Sequence, residues 1–260
     1  MNKLMMKKLF FLLIFTSCAG KGLFGWKADD GPQVSLEDYQ EFSNQDYIDH
    51  LKSFEDIYKK QNTLVGLRQS SYRYLENLVR TISENNELFF EDKLKPRFYI
   101  VKSKIPFHFS LPGGRFFLSN GLLDKYIKNE AMLYCVLVYE LVRSEKNIYQ
   151  KQIVIPTKVL NTTRVLSLMR LNTEDKLEIH KWAFYLLKRA GINTDTYLSW
   201  LQIKNRNSID FAKQLGDIQS ISREEAMFKA FIIENNKGEV GDKYTGSSRS
   251  FYSLLNDIKG

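Results

Sequence analysis

The chain has 260 residues, 43% hydrophobic and 26% charged, the balance of a globular protein with room for one sizeable core. Its 38 lysines and arginines exceed its 30 acids by eight. They are scattered and no nucleic-acid motif accompanies them, so the excess speaks for a mildly basic, solvated surface and against a nucleic-acid partner.

Residues 1–17 carry Lys3, Lys7 and Lys8, no acid, and an apolar run from Leu9 to Phe15. A charged start followed by a run too short to span a bilayer has the form of a signal peptide. Phe15-Thr16-Ser17-Cys18 resembles a bacterial lipobox, in which the cysteine is acylated and becomes the first residue of the mature chain. This predicts a lipoprotein held on a membrane through Cys18, facing the periplasm. Ala19 suits outer-membrane sorting. The alternative is an ordinary secretory signal ending near Ala19-Gly20. Residues 18–35, rich in Gly, Lys and Asp, read as a tether.

From 36 to 66, Tyr39, Phe42, Tyr47, Leu51, Phe54, Ile57 and Tyr58 recur at helical spacing among polar residues. They predict one or two amphipathic helices on the outside of the domain. Tyr72 to Ile82 repeats apolar residues at three and four and predicts a helix ending near Asn85-Asn86. Three strands follow, Pro96 to Val101, Phe107 to Leu111 and Arg115 to Ser119, the last two joined by a Pro112-Gly113-Gly114 turn. Asn129 is placed to cap an apolar helix, Glu130 to Ser144. Cys135 on that helix has no partner in the mature chain, where Cys18 would be acylated, and reads as a buried free thiol. Ile153 to Pro156 could be extended and Thr163 to Leu171 helical. Further helices are expected from Thr173 to Lys188, stopped by Gly191, and from Asp195 to Lys204. Ser222-Arg223-Glu224-Glu225 fits a capping box before a helix from Ala226 to Ile233. Residues 236–260 read as a loop and a short closing helix, beginning at Phe251. Nothing indicates a repeat or a second core.

Three blocks stand in a telling order: Leu111-Pro112-Gly113-Gly114 with Gly121-Leu122-Leu123 after it, Tyr139-Glu140-Leu141-Val142-Arg143, and Leu186-Leu187-Lys188-Arg189-Ala190-Gly191. Together they resemble the active-site region of the HtpX-like zinc endopeptidases, the gluzincins that include the CAAX prenyl endopeptidases. The resemblance covers residues 67–235. It implies an α+β fold, with a small mixed sheet packed on several helices, including helix 130–144, which carries the zinc ligands in that family. The family's helix reads H-E-x-x-H. Two histidines four residues apart reach one zinc, and the glutamate deprotonates the metal-bound water. Here Glu140 keeps the general-base position, while Tyr139 and Arg143 replace the histidines. Counting back from the last block, the third ligand position falls on Lys176.

Two of the three ligand positions thus carry cations, and an arginine cannot give up its proton. Held beside a divalent ion, they would cost several kcal/mol even at an effective dielectric near ~20. No metal and no cofactor is therefore expected. Arg143 or Lys176 is expected to pair with Glu140 or Glu178, the alternative being that Glu140 and Arg143 are exposed. An improvised metal site drawing on His108 or His180 is the remaining route to zinc. The aromatic run Lys181 to Tyr185 reads as core packing.

The resemblance implies a catalytically inactive envelope lipoprotein that binds a peptide or an envelope protein as an added strand. Phe107, His108, Phe109 and Ser110 would form the peptide-binding edge. The alternatives are an active zinc endopeptidase with unorthodox ligands and a purely structural lipoprotein.

Overall fold

A computed structural model describes residues 44–90, 95–151, 160–235 and 246–259. The signal peptide, Cys18, the tether, the start of the N-terminal extension, the Ile153 to Pro156 segment and most of the loop before the last helix lie outside the described residues.

The fold is α+β. Ten helices and four short strands run in the order α1 (Asn44–Gln61), β1 (Leu64–Val65), α2 (Gln69–Glu84), β2 (Arg97–Val101), β3 (His108–Leu111), β4 (Arg115–Ser119), α3 (Asn120–Lys125), α4 (Glu130–Glu145), α5 (Thr162–Leu168), α6 (Thr173–Arg189), α7 (Asp195–Arg206), α8 (Ala212–Leu215), α9 (Ser220–Asn235) and α10 (Arg249–Asp257) among the described residues. None of these helices is long and apolar enough to cross a membrane. The strands form one mixed sheet in the order β1-β2-β4-β3, with β2 and β4 parallel and the outer pairings antiparallel. β3 is therefore an edge strand. Gly113 and Gly114, at φ of 78° and 71°, close the hairpin between β3 and β4. Side chains favour negative φ, which is why this turn is built from glycine.

Alternation along the strands separates two apolar clusters. Phe98, Ile100, Phe116 and Leu118 face α2 and α4 in the larger one. Val101, Phe107, Phe109, Leu111 and Phe117 face α1 and α5 in the smaller one. This corrects two sequence expectations. A second core exists, and α1 covers a face of the sheet instead of lying outside the domain. Its Tyr47, Leu51, Phe54 and Tyr58, spaced four, three and four, are all buried. α1 is also pinned by Glu55, which accepts from the Arg97 guanidinium at 3.2 Å and from Tyr99 and Arg115.

α4 is apolar on every side, and 14 of its 16 residues are buried. Such a helix belongs at the centre of a core. It runs against β3, β4, α2, α6 and α7. Its cap is the expected one, with Asn129 Oδ1 accepting from Met132 N at 2.8 Å. At its far end Ser144 holds the glycine turn, accepting from Gly114 N at 2.7 Å and donating to Leu111 O at 3.1 Å. The Leu-Pro-Gly-Gly block and the Tyr139–Arg143 block are thus locked together.

The last helix returns to the start of the domain. α2 has no side-chain cap of its own. The carboxylate of Asp257 in α10 takes that place, accepting from Ser71 Oγ at 2.6 Å and from Arg68 N at 3.2 Å. Phe251, Leu254 and Ile258 bury the contact.

Other boundaries differ from expectation. α9 begins at Ser220, so Ser222 is not a cap; it donates to Asn205 Oδ1 at 2.9 Å. Of the aromatic run on α6, Phe184 is buried, but Trp182 and Tyr185 are exposed. Trp182 packs on Phe89 at 5.1 Å.

Candidate functional site

Tyr139, Arg143 and Lys176, distant in type from zinc ligands, line a single cavity of about 40 Å³. α4 supplies the first two and α6 the third. Four residues along α4 from Tyr139 to Arg143 is one turn, so both project on the same side. His108 of β3, Lys204 of α7, Gln214 of α8, Glu224 of α9 and Arg170 of the segment before α6 also line it, together with the apolar Met169, Leu171 and Leu215. His108, Arg143, Lys204 and Glu224 are buried, whereas Arg170, Lys176 and Gln214 are half-buried, so the cavity opens toward the last three.

Glu140 is not part of this wall. It is 1% exposed and fully engaged behind it. Its Oε1 lies 2.6 Å from His108 Nδ1, and its Oε2 accepts from Ser110 Oγ at 2.7 Å. Arg143 adds a weaker ion pair at 3.9 Å while donating to the carbonyl of Met169. This is the Glu140–Arg143 pairing expected from the sequence. Burial pushes the Glu140 pKa up, but His108, Arg143 and Ser110 overcome it, and the net shift is downward. For His108 burial dominates over the pull of Glu140, and its pKa is lowered. The pair is best described as a carboxylate bonded to a neutral imidazole that donates from Nδ1. A carboxylate so enclosed has no free lone pair turned toward the cavity with which to deprotonate a water.

Lys176 pairs elsewhere than expected. Glu178 is exposed, and the partner of Lys176 is Glu224, at 2.5 Å. His180, four residues further along α6, lies 3.5 Å from the other oxygen of Glu224 and 2.9 Å from the Tyr197 hydroxyl. Burial outweighs Glu224 and lowers the His180 pKa to about 4. Glu224 is driven up by burial but further down by His180, Lys204 and Lys176, to about 2. Lys204 sits over the Tyr139 and Trp200 rings at 5.9 and 5.8 Å. Burial lowers its pKa, opposed by Glu224.

Glu224 and Lys204 carry much of the site's charge, and the motif comparison missed both. The legible signal was a polar residue inside an apolar stripe: Tyr197, Trp200, Leu201, Lys204 on α7 and Ile221, Glu224, Phe228, Phe231 on α9, spaced by threes and fours.

The residues present do not fit zinc. His108 offers one imidazole nitrogen, and the carboxylate of Glu224 is already shared by Lys176 and His180. Arg143, Arg170, Lys176 and Lys204 bring cations where a metal needs donors. Among the described residues no group of three or more His, Cys, Asp or Glu is arranged to hold a metal ion. His108 and His180 are both near Tyr139, with ring centroids at 5.9 and 5.2 Å. Each is bonded to a different glutamate. Cys135 on α4 is buried, and burial raises its thiol pKa, so it is not poised as a nucleophile.

The proposed peptide edge has a specific geometry. Phe107 and Phe109 point away from the cavity into the smaller cluster, at 0% and 1% exposure, so they are core residues and cannot contact a ligand directly. His108 and Ser110 point toward Glu140. The outward backbone of His108 is already paired: its C=O accepts from Gln214 Nε2 at 2.7 Å and its N–H donates to Gln214 Oε1 at 3.4 Å. The Ser110 carbonyl accepts from the Tyr149 hydroxyl at 3.3 Å. The Gln214 amide thus makes the two bonds that an added strand would make.

In comparison with known proteins, no protein-family model and no curated sequence matches this chain.

Proposed function

We propose that this chain is a non-catalytic relative of the HtpX-like zinc endopeptidases, a lipid-anchored protein of the bacterial envelope that binds an extended peptide or an unfolded protein segment. One observation carries the reading: the three positions that would hold zinc line one cavity rich in cationic side chains, with the retained glutamate sealed behind a histidine. The blocks Leu111–Gly114, Tyr139–Arg143 and Leu186–Gly191 lie on a hairpin and two packed helices, which supports the resemblance. Strand addition uses main-chain hydrogen bonds and needs no metal, so binding can outlast catalysis.

The peptide would pair with β3 in exchange for Gln214. In fluorescence anisotropy with labelled unstructured peptides, Gln214→Ala should bind about fivefold more tightly than the wild type, the worth of roughly one competing hydrogen bond. Cleavage of casein that is blocked by a chelator and by Glu140→Gln would refute the non-catalytic reading. A second reading, a structural lipoprotein, is favoured by the paired state of the β3 edge. Absence of peptide binding by both wild type and Gln214→Ala would decide for it.

A further inference from the structure

Among the described residues, four buried side-chain polar atoms have no hydrogen-bond partner. Three of them, His108 Nε2, Arg143 Nε and Arg170 Nε, belong to residues that line the same small cavity. Buried polar atoms are almost always satisfied, so orphans gathered at one place call for a partner. Two of these are guanidinium N–H groups, which can only donate, so the partner they lack is an acceptor; His108 Nε2, an acceptor itself when Nδ1 donates to Glu140, does not bear on the ligand's charge.

Charge points the same way. Within the wall, the carboxylate of Glu224 is committed to Lys176. Glu140, outside the wall, is committed to His108 and Ser110. Among the described residues nothing hydrogen-bonds to Lys204 Nζ, whose contacts are the faces of Tyr139 and Trp200. Arg170 uses one terminal nitrogen on the carbonyl of Lys213 at 3.1 Å. Its guanidinium lies against Gly216, where a Cβ would come within 2.6 Å of Nε. Lys204, which Glu224 offsets through space but without a hydrogen bond, and Arg170, which pairs with no carboxylate among the described residues, therefore remain open to an anion on a cavity that opens beside Arg170. A volume of about 40 Å³ exceeds the ~10–15 Å³ that one water centre needs, and suits a group of two or three heavy polar atoms.

We infer that this cavity binds a small oxyanion, a carboxylate or phosphate group, between Lys204, Arg170 and Arg143. On the reading proposed above, the cavity stands where the family's metal would, with the opposite sign: cations of the protein receive an anion where anions and imidazoles of a peptidase receive a cation. Planar guanidinium groups with free N–H suit carboxylate and phosphate oxygens. This inference holds whether or not a peptide pairs with β3. The anion can be a free solute or the carboxyl end of a peptide.

Isothermal titration calorimetry on the full chain, at ionic strength fixed with chloride, tests it with inorganic phosphate, acetate and an N-acetylated dipeptide as free acid or as amide. Saturable binding of phosphate or acetate is expected, weakened at least about tenfold by Lys204→Met and by Arg170→Gln. Arg170→Gln alters the half-buried rim and keeps the interpretation open should Lys204→Met fail to fold, which its melting curve reports. Free-acid dipeptide binding tighter than acetate, and lost in the amide, would assign the anion to a peptide end. Phosphate tighter than either would assign it to a free solute. Failure of all these probes to bind, or binding unchanged in Arg170→Gln, overturns the inference.

Discussion

At the scale of residues, Glu140 is held by partners from two distant parts of the chain, only one of them legible in the sequence. The sequence places it on the right helix, and its pairing with Arg143 follows from their spacing. What the sequence does not tell is that His108, far away in the chain, would take the carboxylate first. Lys176 stands out in the sequence through the resemblance, but its partner does not, because Glu224 comes from a helix whose docking is a tertiary matter. That partner makes the site sensitive to acid. The folded-state pKa of Glu224, about 2, lies below its ordinary value, so its stabilisation is complete above that value and is lost as pH falls from the ordinary carboxylate range toward 2. His180, near 4 when folded, also lies below its ordinary value, so its contribution is lost as pH falls from the ordinary imidazole range toward 4. The two are coupled and do not add. Thermal melts between neutral pH and pH 3 should show an acid-induced loss of roughly 2–3 kcal/mol that shrinks markedly when Glu224→Gln and His180→Gln are combined, since loss of Glu224 alone lowers the His180 pKa further. An unchanged acid profile in that double variant would remove the argument.

At the scale of elements, local chemistry was legible where the element carries its own signals. The glycine turn, the Asn129 cap and the all-apolar α4 belong to this class. α8, four residues long, has no periodicity to read, yet it supplies Gln214. α9 starts two residues before its apparent capping box because Ser222 and Glu225 are drawn to Asn205, the latter at 2.7 Å. α1 looks polar enough for an exterior layer, but its apolar stripe meets the sheet face that α4 leaves open. Glu55 is the point on which this docking turns, since it gathers Arg97, Tyr99 and Arg115 at one end of the sheet. Arg97 remains half in solvent, so the network is worth less than a wholly buried one. Glu55→Ala should cost about 2 kcal/mol in urea unfolding. A loss no greater than that of an exposed α1 acid such as Asp56→Ala would show that apolar burial alone holds the helix.

At the scale of the whole molecule, the mixed class and the single small sheet were readable from the alternation of patterns along the chain. The division into two clusters was not, because a strand buried on both faces looks the same whichever side its partners cover. Nor did the sequence reveal where the last helix goes. A chain is made from its N-terminus, and α2 emerges early. The oxygen atoms that finish its first turn ride on Asp257, which leaves the ribosome 189 residues after Arg68. Until then the socket for Phe251 and Leu254 is exposed, and α2 has to be tolerated by the cell as an unfinished, sticky surface. Nascent chains arrested after residue 235 should therefore be cut by protease within α2, whereas released full chains resist. Equal protection of the two would mean that the domain can do without its latecomer.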